Sequence, residues 1–383
     1  MSDPAPTASR GRLLFIGPLP EPVTGHSLAC QVLLEELQKT YDVSVVNLSK
    51  ASFGGGVTSL GRIGEVGAIL TRVANAARSA DVVYLTISES VAGNLKDVLI
   101  YLLCWALLPR MLIHLHGGSI RSHIFDRYPL LRKLNALALR RIGAVIVLGR
   151  THLHVFDPMV PSDRVHIVAN FAQDFLFADA AAITRKFQST EVLQFLFLGN
   201  LIEGKGHTDL LAGYQLLPAA HRQRVRLHFA GAFDTAEEER RFRETIAVDP
   251  AVTYHGVVSG ARKRALLDTA HVLVLPTRLS EGQPISILEA YAAGCVVMTT
   301  RCGGIPDIFT DGVHGFQLLP ESPSSVRDAI ERALAGDIVL EDVAQRNFQT
   351  ALTSYRTTQY VKKIAALIEH VRTGLELPAE SAS

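Results

Sequence analysis

Two glutamates, Glu281 and Glu289, bracket a short stretch whose residue types can recognise an elongated, partly charged polyol. Pro284 lies between them and can occupy the first turn of a helix, where its missing N–H is not needed. At 1.5 Å of rise per residue, the distance from Pro284 to Glu289 is roughly 7–8 Å. One carboxylate can therefore meet one end of a ligand while the other meets a different part. Between them, the free N–H groups around Gln283 to Ile287 offer an anion site. Hydroxyl binder, phosphate binder, hydroxyl binder is the layout a sugar nucleotide requires. The bland alternative is a solvated helix glutamate at Glu289 and a loop charge at Glu281.

Four further stretches carry chemistry. Asn200-Leu-Ile-Glu-Gly-Lys205-Gly206 is a loop with one cation. His116 follows an apolar strand and precedes Gly117-Gly118, and alternation puts His114 on the same face. A histidine at the carboxyl edge of a parallel sheet points at the crevice where ligands bind in such folds. His114 reads as a packed structural histidine. The loop from Gly17 to Gly25 follows the first strand but lacks G-x-G-x-x-G spacing, which argues against a nicotinamide-type site. Arg301-Cys-Gly-Gly-Ile-Pro-Asp307 places adjacent glycines where backbone can approach a ligand.

Glu281-Gly282, six residues ending in Leu288, then Glu289-Ala290 and Gly294 resemble the signature of retaining glycosyltransferases of family 4. The Lys205-Gly206 loop, His116-Gly117, Gly303-Gly304-Ile305-Pro306-Asp307 and Asp311 to Phe316 are similar to further motifs of that family. The resemblance implies a GT-B fold, two Rossmann-like domains facing each other across a cleft. It also implies transfer of a hexose-type sugar from a nucleoside diphosphate donor to an acceptor hydroxyl, with retained configuration. By the same resemblance Glu281 binds donor-sugar hydroxyls, Glu289 binds the ribose, His116 orients the sugar and Lys205 neutralises the leaving diphosphate. Asn200 stands where the family usually has arginine, so one phosphate contact is neutral here. Gly25, Gly256, Val257, Gly282, Gln283, Pro284 and Ile285 complete the expected donor-binding set. At Asn170 only the location carries over, because Ala169 and Phe171 replace the usual proline and glycine. No D-x-D pair occurs in the chain, consistent with a site that requires neither metal nor cofactor.

The elements that must position these residues alternate strand and helix. Short apolar runs such as Leu13–Ile16, Met111–Leu115, Gln194–Leu198, Val272–Leu275 and Cys295–Thr299 read as buried parallel strands, each followed by a helical pattern. The expected organisation is a disordered terminus over 1–12, an acceptor domain over 13–177 and a polar, Ala-rich linker over 178–191. A donor domain over 192–354 and a last helix, 355–383, that crosses back to the first domain and frays at its end complete it. Residues 51–64 are Gly- and Ser-rich and read as a mobile loop or a poorly ordered helix start.

The 383 residues are 48% apolar and carry a net charge of +1, which suits two globular domains and not a nucleic-acid-coating protein. Cys30, Cys104, Cys295 and Cys302 are scattered, as expected of reduced thiols in a cytoplasmic protein with neither a disulfide frame nor a zinc site. The apolar run Val98–Leu108 is too short to span a bilayer, which takes about 20 residues. Arg121 to Arg141 reads as a basic amphipathic helix suited to an anionic membrane surface. That points to peripheral attachment and to a glycan or polyprenyl-diphosphate-linked acceptor in exopolysaccharide or cell-envelope assembly. A sugar-nucleotide epimerase and a non-catalytic sugar-nucleotide-binding scaffold are the competing readings.

Overall fold

The computed structural model describes residues 11–49 and 60–377. The expectations for 1–10, for most of the Gly-rich loop and for the last six residues lie outside that range. Within the loop expected over 51–64, helix Leu60–Ala77 already begins at Leu60. The chain divides into two compact units. One holds residues up to Val147, His152–Val168 and everything from Val361; the other holds Leu148–Thr151 and Ala169–Tyr360.

The first unit is built on β1 (Arg12–Gly17), β2 (Asp42–Asn47), β3 (Val82–Thr86), β4 (Met111–His114), β5 (Ala144–Val147) and β6 (Val165–Ile167). They form one parallel sheet in the order β2-β1-β3-β4-β5-β6. β1 already includes Arg12, which ion-pairs with Asp81 at 2.9 Å, so the strand claims the end of the segment expected to be disordered. The β3, β4 and β5 side chains are all buried, which is why these strands read as continuous apolar runs. Helices Gly25–Leu37, Leu60–Ala77, Val91–Leu103 and Pro129–Leu139 are the main helices of this unit. The apolar run Val98–Leu108 divides between helix Val91–Leu103 and the short helix Trp105–Arg110, which contains Pro109. There the helix has tightened and one N–H fewer is needed.

The second unit repeats the plan with β7 (Leu193–Leu198), β8 (Val225–Ala230), β9 (Val252–Tyr254), β10 (Val272–Leu275), β11 (Val296–Thr299) and β12 (Gly315–Gln317). The parallel order is β12-β11-β10-β7-β8-β9. Strand order reverses between β7 and β10, the point where loops diverge and ligands bind in open α/β sheets. In the first unit the reversal falls between β1 and β3.

Three boundaries differ from the sequence reading. Segment 178–191 contains helix Ala180–Phe187, whose Ile183 and Phe187 are buried in the second unit's core, so it is a packed element and not a tether. Phe171 and Ala172 also belong to that unit, and Ala172 N–H donates to Tyr355 O at 2.8 Å. At that same contact the chain passes from helix Leu340–Ser354 to helix Thr357–Thr373, two residues later than the boundary expected at 355. The second of these enters the first unit from Val361 onward. There Tyr41 donates a hydrogen bond to Glu369, and Leu367 and Ile368 are buried.

Candidate functional site

The loop after β7 and the loop after β10 flank the second unit's reversal point, and they are stapled together. Arg278 N–H donates to Gly204 O at 2.8 Å, and Thr277 Oγ1 donates to the same carbonyl at 3.3 Å. Gly206 has a φ of +85°, and a Cβ there would lie 2.2 Å from Pro276 O, so only glycine lets the two loops close. The result brings Lys205 to Glu281. Lys205 Nζ donates to the two Glu281 carboxylate oxygens at 2.7 and 2.9 Å, and Thr277 Oγ1 donates to one of them at 2.8 Å. These side chains retain 21% and 11% of their exposure, so a ligand can reach the pair and compete for either member.

Glu281 is also fixed from behind by the Arg301–Asp307 turn. Gly304 N–H donates to Glu281 O at 2.9 Å, and a Cβ on Gly303 would fall 2.1 Å from that oxygen. Asp307, where the family has glutamate, accepts hydrogen bonds from Thr151 N at 3.1 Å and from Thr151 Oγ1. The paired glycines thus position a carboxylate and are not merely a turn before a helix.

Helix Ile285–Ala292 starts one residue later than expected, with Pro284 as its N-cap, because an N-cap needs extended backbone and Pro284 has ψ 115°. Its first-turn N–H groups have no intrahelical acceptor. Glu289 is 2% exposed and accepts from Lys263 Nζ at 2.6 Å. Burial pushes its carboxyl pKa up, and the Lys263 charge and hydrogen bond oppose that. Gln283 is occupied structurally. Its Oε1 accepts from Asn170 N at 2.6 Å, its Nε2 donates to Leu148 O at 3.3 Å, and its main-chain O accepts from Asn170 Nδ2 at 2.9 Å. That side chain holds Asn170 and the Leu148 segment in place. Gly282 and Ile285 are buried beside it, leaving backbone as what this stretch can offer.

The remaining expected donor residues are placed as follows. Asn200 is half-buried in the loop after β7. Gly256 and Val257 follow β9, where Gly256 O accepts from Gly231 N at 2.9 Å and Val257 is 55% exposed.

In the first unit Gly25 opens helix Gly25–Leu37, capped by Thr24, whose Oγ1 accepts from Ser27 N at 3.0 Å. His116 lies beyond β4, with ring centroids 4.2 Å from His26 and 3.9 Å from His114. Burial pushes all three imidazoles below their ordinary pKa, His26 to about 4, and their mutual or Lys96 charges add to it. They are neutral at pH 7. His114 packs in the core and its Nδ1 meets Tyr84 Oη at 2.7 Å, in keeping with a structural role.

Sequence reasoning missed three residues. Lys263, inside the basic run Arg262-Lys263-Arg264, is the buried partner of Glu289. Thr277 orients Glu281. Glu89, after β3, accepts from Ser119 N at 2.6 Å and Ile120 N at 2.9 Å and fills the space a side chain on Gly117 would take. Its position at the carboxyl end of a parallel strand is the signal that would have found it.

The basic stretch Arg121–Arg141 is not one helix. A single wide turn, Arg121–Phe125, is separated from helix Pro129–Leu139 by Pro129, which can start a helix but not continue one. That helix packs on Val91–Leu103 through reciprocal Asn94–Asn135 amide hydrogen bonds of 3.2 and 2.8 Å. Leu95, Leu102, Trp105, Leu130 and Leu137 on these segments are exposed, as are Arg132, Lys133, Arg140 and Arg141. Among the described residues no helix is long and apolar enough to cross a membrane.

Residues 193–336 match the family model described as Glycosyl transferases group 1. Over 182 residues the chain is 29% identical to the glycosyltransferase MJ1607 of Methanocaldococcus jannaschii, covering 46% of this chain and 46% of that one. It is 26% identical over 190 residues to the putative colanic acid biosynthesis glycosyltransferase WcaL of Salmonella typhimurium, covering 47% and 45%. The chain thus spans less than half the length of these curated relatives. Among solved structures, HepE of Anabaena in complex with UDP and glucose superposes with a TM-score of 0.70 at 15% identity, covering 93% of this chain and 98% of that one. Sucrose-phosphate synthase from Thermosynechococcus elongatus gives 0.71 at 14% identity, covering 96% and 100%. At such identities the likeness establishes the fold, GT-B with two Rossmann-like domains. The Glu281–Glu289 stretch and the Lys205 loop both lie inside the residues that match the glycosyl transferases group 1 model.

Proposed function

We propose that this protein is a retaining glycosyltransferase that moves a hexose-type sugar from a nucleoside diphosphate sugar to an acceptor hydroxyl, without a metal. The observation that carries the reading is the Lys205–Glu281 pair, held by loops after adjacent strands at the second unit's reversal point. A ligand entering there exchanges that ion pair for two separate contacts. Lys205 turns to the leaving diphosphate, as a charge-assisted donor, and Glu281 accepts from sugar hydroxyls. First-turn N–H groups of Ile285–Ala292 add to the anion site. Departure of the nucleoside diphosphate leaves an oxocarbenium-like sugar, attacked on the same face by the acceptor oxygen. The leaving phosphate takes the acceptor proton. The roles of His116, Gly25 and Glu289 in sugar, phosphate and ribose binding belong to the same proposal, as does base contact at Gly256 and Val257.

The acceptor in this reading is a lipid-linked glycan of exopolysaccharide or cell-envelope assembly, handled at the cytoplasmic face of a membrane. It is supported by the exposed leucines, Arg132 and Lys133 on the two packed helices of the first unit and by exposed Trp105 just beyond the first of them, since apolar side chains together with arginine and lysine suit an anionic bilayer surface. The testing experiment is a thermal-shift screen with UDP, GDP, ADP and their sugars in EDTA. Stabilisation by one nucleotide family is expected, because binding the folded state alone raises its melting point. Binding of none would overturn the reading. Conversion of the donor into an isomer without acceptor would replace it with epimerisation.

A further inference from the structure

We propose that His26, Cys30 and His116 form a binding site for a divalent ion of the zinc type, which closes the first unit's reversal point. Among the described residues this is the group of histidine, cysteine and carboxylate side chains whose ligand atoms converge, all within 4.8 Å of one another. The arrangement follows from the fold. His26 and Cys30 are four residues apart on helix Gly25–Leu37, hence on one face, and that helix follows β1. His116 comes from the turn after β4, which places it over the same end of the sheet.

A second observation points to a ligand. The Nε2 atoms of both His26 and His116 are shut off from solvent and have no hydrogen-bond partner. Buried polar atoms are almost always satisfied, and two orphans on histidines of one cluster ask for a partner. The donor set of two imidazoles and one thiolate suits a tetrahedral, borderline-soft ion, with bonds of about 2.0–2.3 Å and the fourth position left to solvent. On binding, the Cys30 thiol proton leaves to solvent and the sulfur lone pair forms the bond. Lys96, whose charge acts on His26, is paired with Asp97 at 3.0 Å, so the ion does not meet a lone cation. Both histidines are only half-buried, which leaves a path of entry.

The site is distinct from a catalytic metal. It would occupy His116, and resting on the sugar-transfer reading, zinc is then an inhibitor. The test titrates the intact protein with Co2+ and then displaces it with Zn2+. One tetrahedral cobalt with a thiolate charge-transfer band is expected per chain. Cys30→Ser removes the charge-transfer band, and Cys30→Ser and His26→Gln each weaken affinity about a hundredfold or more, whereas Cys302→Ser changes nothing. A melting-point rise with Zn2+ in the wild type that is absent in folded Cys30→Ser gives a second readout. Octahedral cobalt, or binding unchanged in both Cys30→Ser and His26→Gln, overturns the proposal and leaves an ordered water between the histidines. Zinc sensitivity of sugar transfer, lost in Cys30→Ser, tests inhibition separately. If binding is seen and no transfer occurs, the functional reading fails and the metal site stands.

Discussion

The second unit presents its chemistry as ion pairs, the first as a stack of neutral rings. Lys205–Glu281 and Lys263–Glu289 each join two segments distant in sequence, and they differ in one respect that separates their roles. The first pair is open to exchange, the second is sealed, with side-chain exposures of 11% and 3%. A half-open pair stores binding capacity because either partner can be released to a ligand at little cost in desolvation. A sealed pair is committed, since separating its charges leaves one of them buried alone. In the first unit, His26, His114 and His116 carry no charge at pH 7 and offer lone pairs and N–H groups instead. One unit thus holds its candidate site residues in charged pairs. The other holds uncharged imidazoles.

Breaking the sealed pair should have the largest effect. Lys263→Met leaves Glu289 buried without its partner and should destabilise the second unit by about 3–5 kcal/mol in urea unfolding. Adding Glu289→Gln should recover most of the loss, and a Lys263→Met protein of wild-type stability would contradict the sealed assignment. Glu281→Gln should leave the urea transition nearly in place and lower turnover by about 100-fold or more, the size seen when one group that stabilises developing charge is removed. Turnover equal to wild type would remove Glu281 from the mechanism. Next comes the staple between the loops. Gly206→Ala strains a left-handed residue against Pro276 and should cost about 1–3 kcal/mol, with weaker nucleotide binding because Lys205 is displaced. Calorimetry on the variant with and without nucleotide reads both.

The smallest effect is on pH dependence. His207 opens the helix after the Lys205 loop and is buried among Phe197, Phe233 and Phe242. Burial lowers its pKa from 6.5 to about 4, against a raising influence from Glu238. Below pH 6.5 the unfolded chain therefore binds a proton that the folded unit refuses, so stability falls as pH drops towards 4. His207→Gln should flatten the melting temperature over that window. An unchanged slope would mean that other buried histidines, His228 foremost, carry it.

Strands and loops of both sheets were legible because a parallel strand covered on both faces is a short apolar run, and such runs survive without an alignment. The Glu281 and Lys205 loops were legible for a related reason. They sit at strand ends, and their glycines and charges stand out against apolar neighbours. Helix Ala180–Phe187 was misread because a one-sided helix on a small patch needs only Ile183 and Phe187, four apart, while its other positions look like tether. Arg121–Arg141 failed the other way. Its leucines, from Leu130 to Leu139, all follow Pro129, and the basic residues on both sides extended the reading across a break that proline chemistry imposes. Lys263 was hidden because a buried lysine in a basic run differs from its exposed neighbours only through a partner 26 positions away. The clamp made by Gln283 was hidden for the same reason, as its partners Asn170 and Leu148 are remote in sequence.

Helix Thr357–Thr373 has a consequence for biosynthesis. The second unit ends at Tyr360, whereas the first includes the segment from Val361, with Leu367, Ile368 and the Glu369 partner of Tyr41 among its packed residues. On a translating ribosome, domains ordinarily mature in the order they emerge. Here that order inverts. The unit whose strands appear first must wait, partly assembled, for the segment from Val361 onward, while the unit made later can close before it.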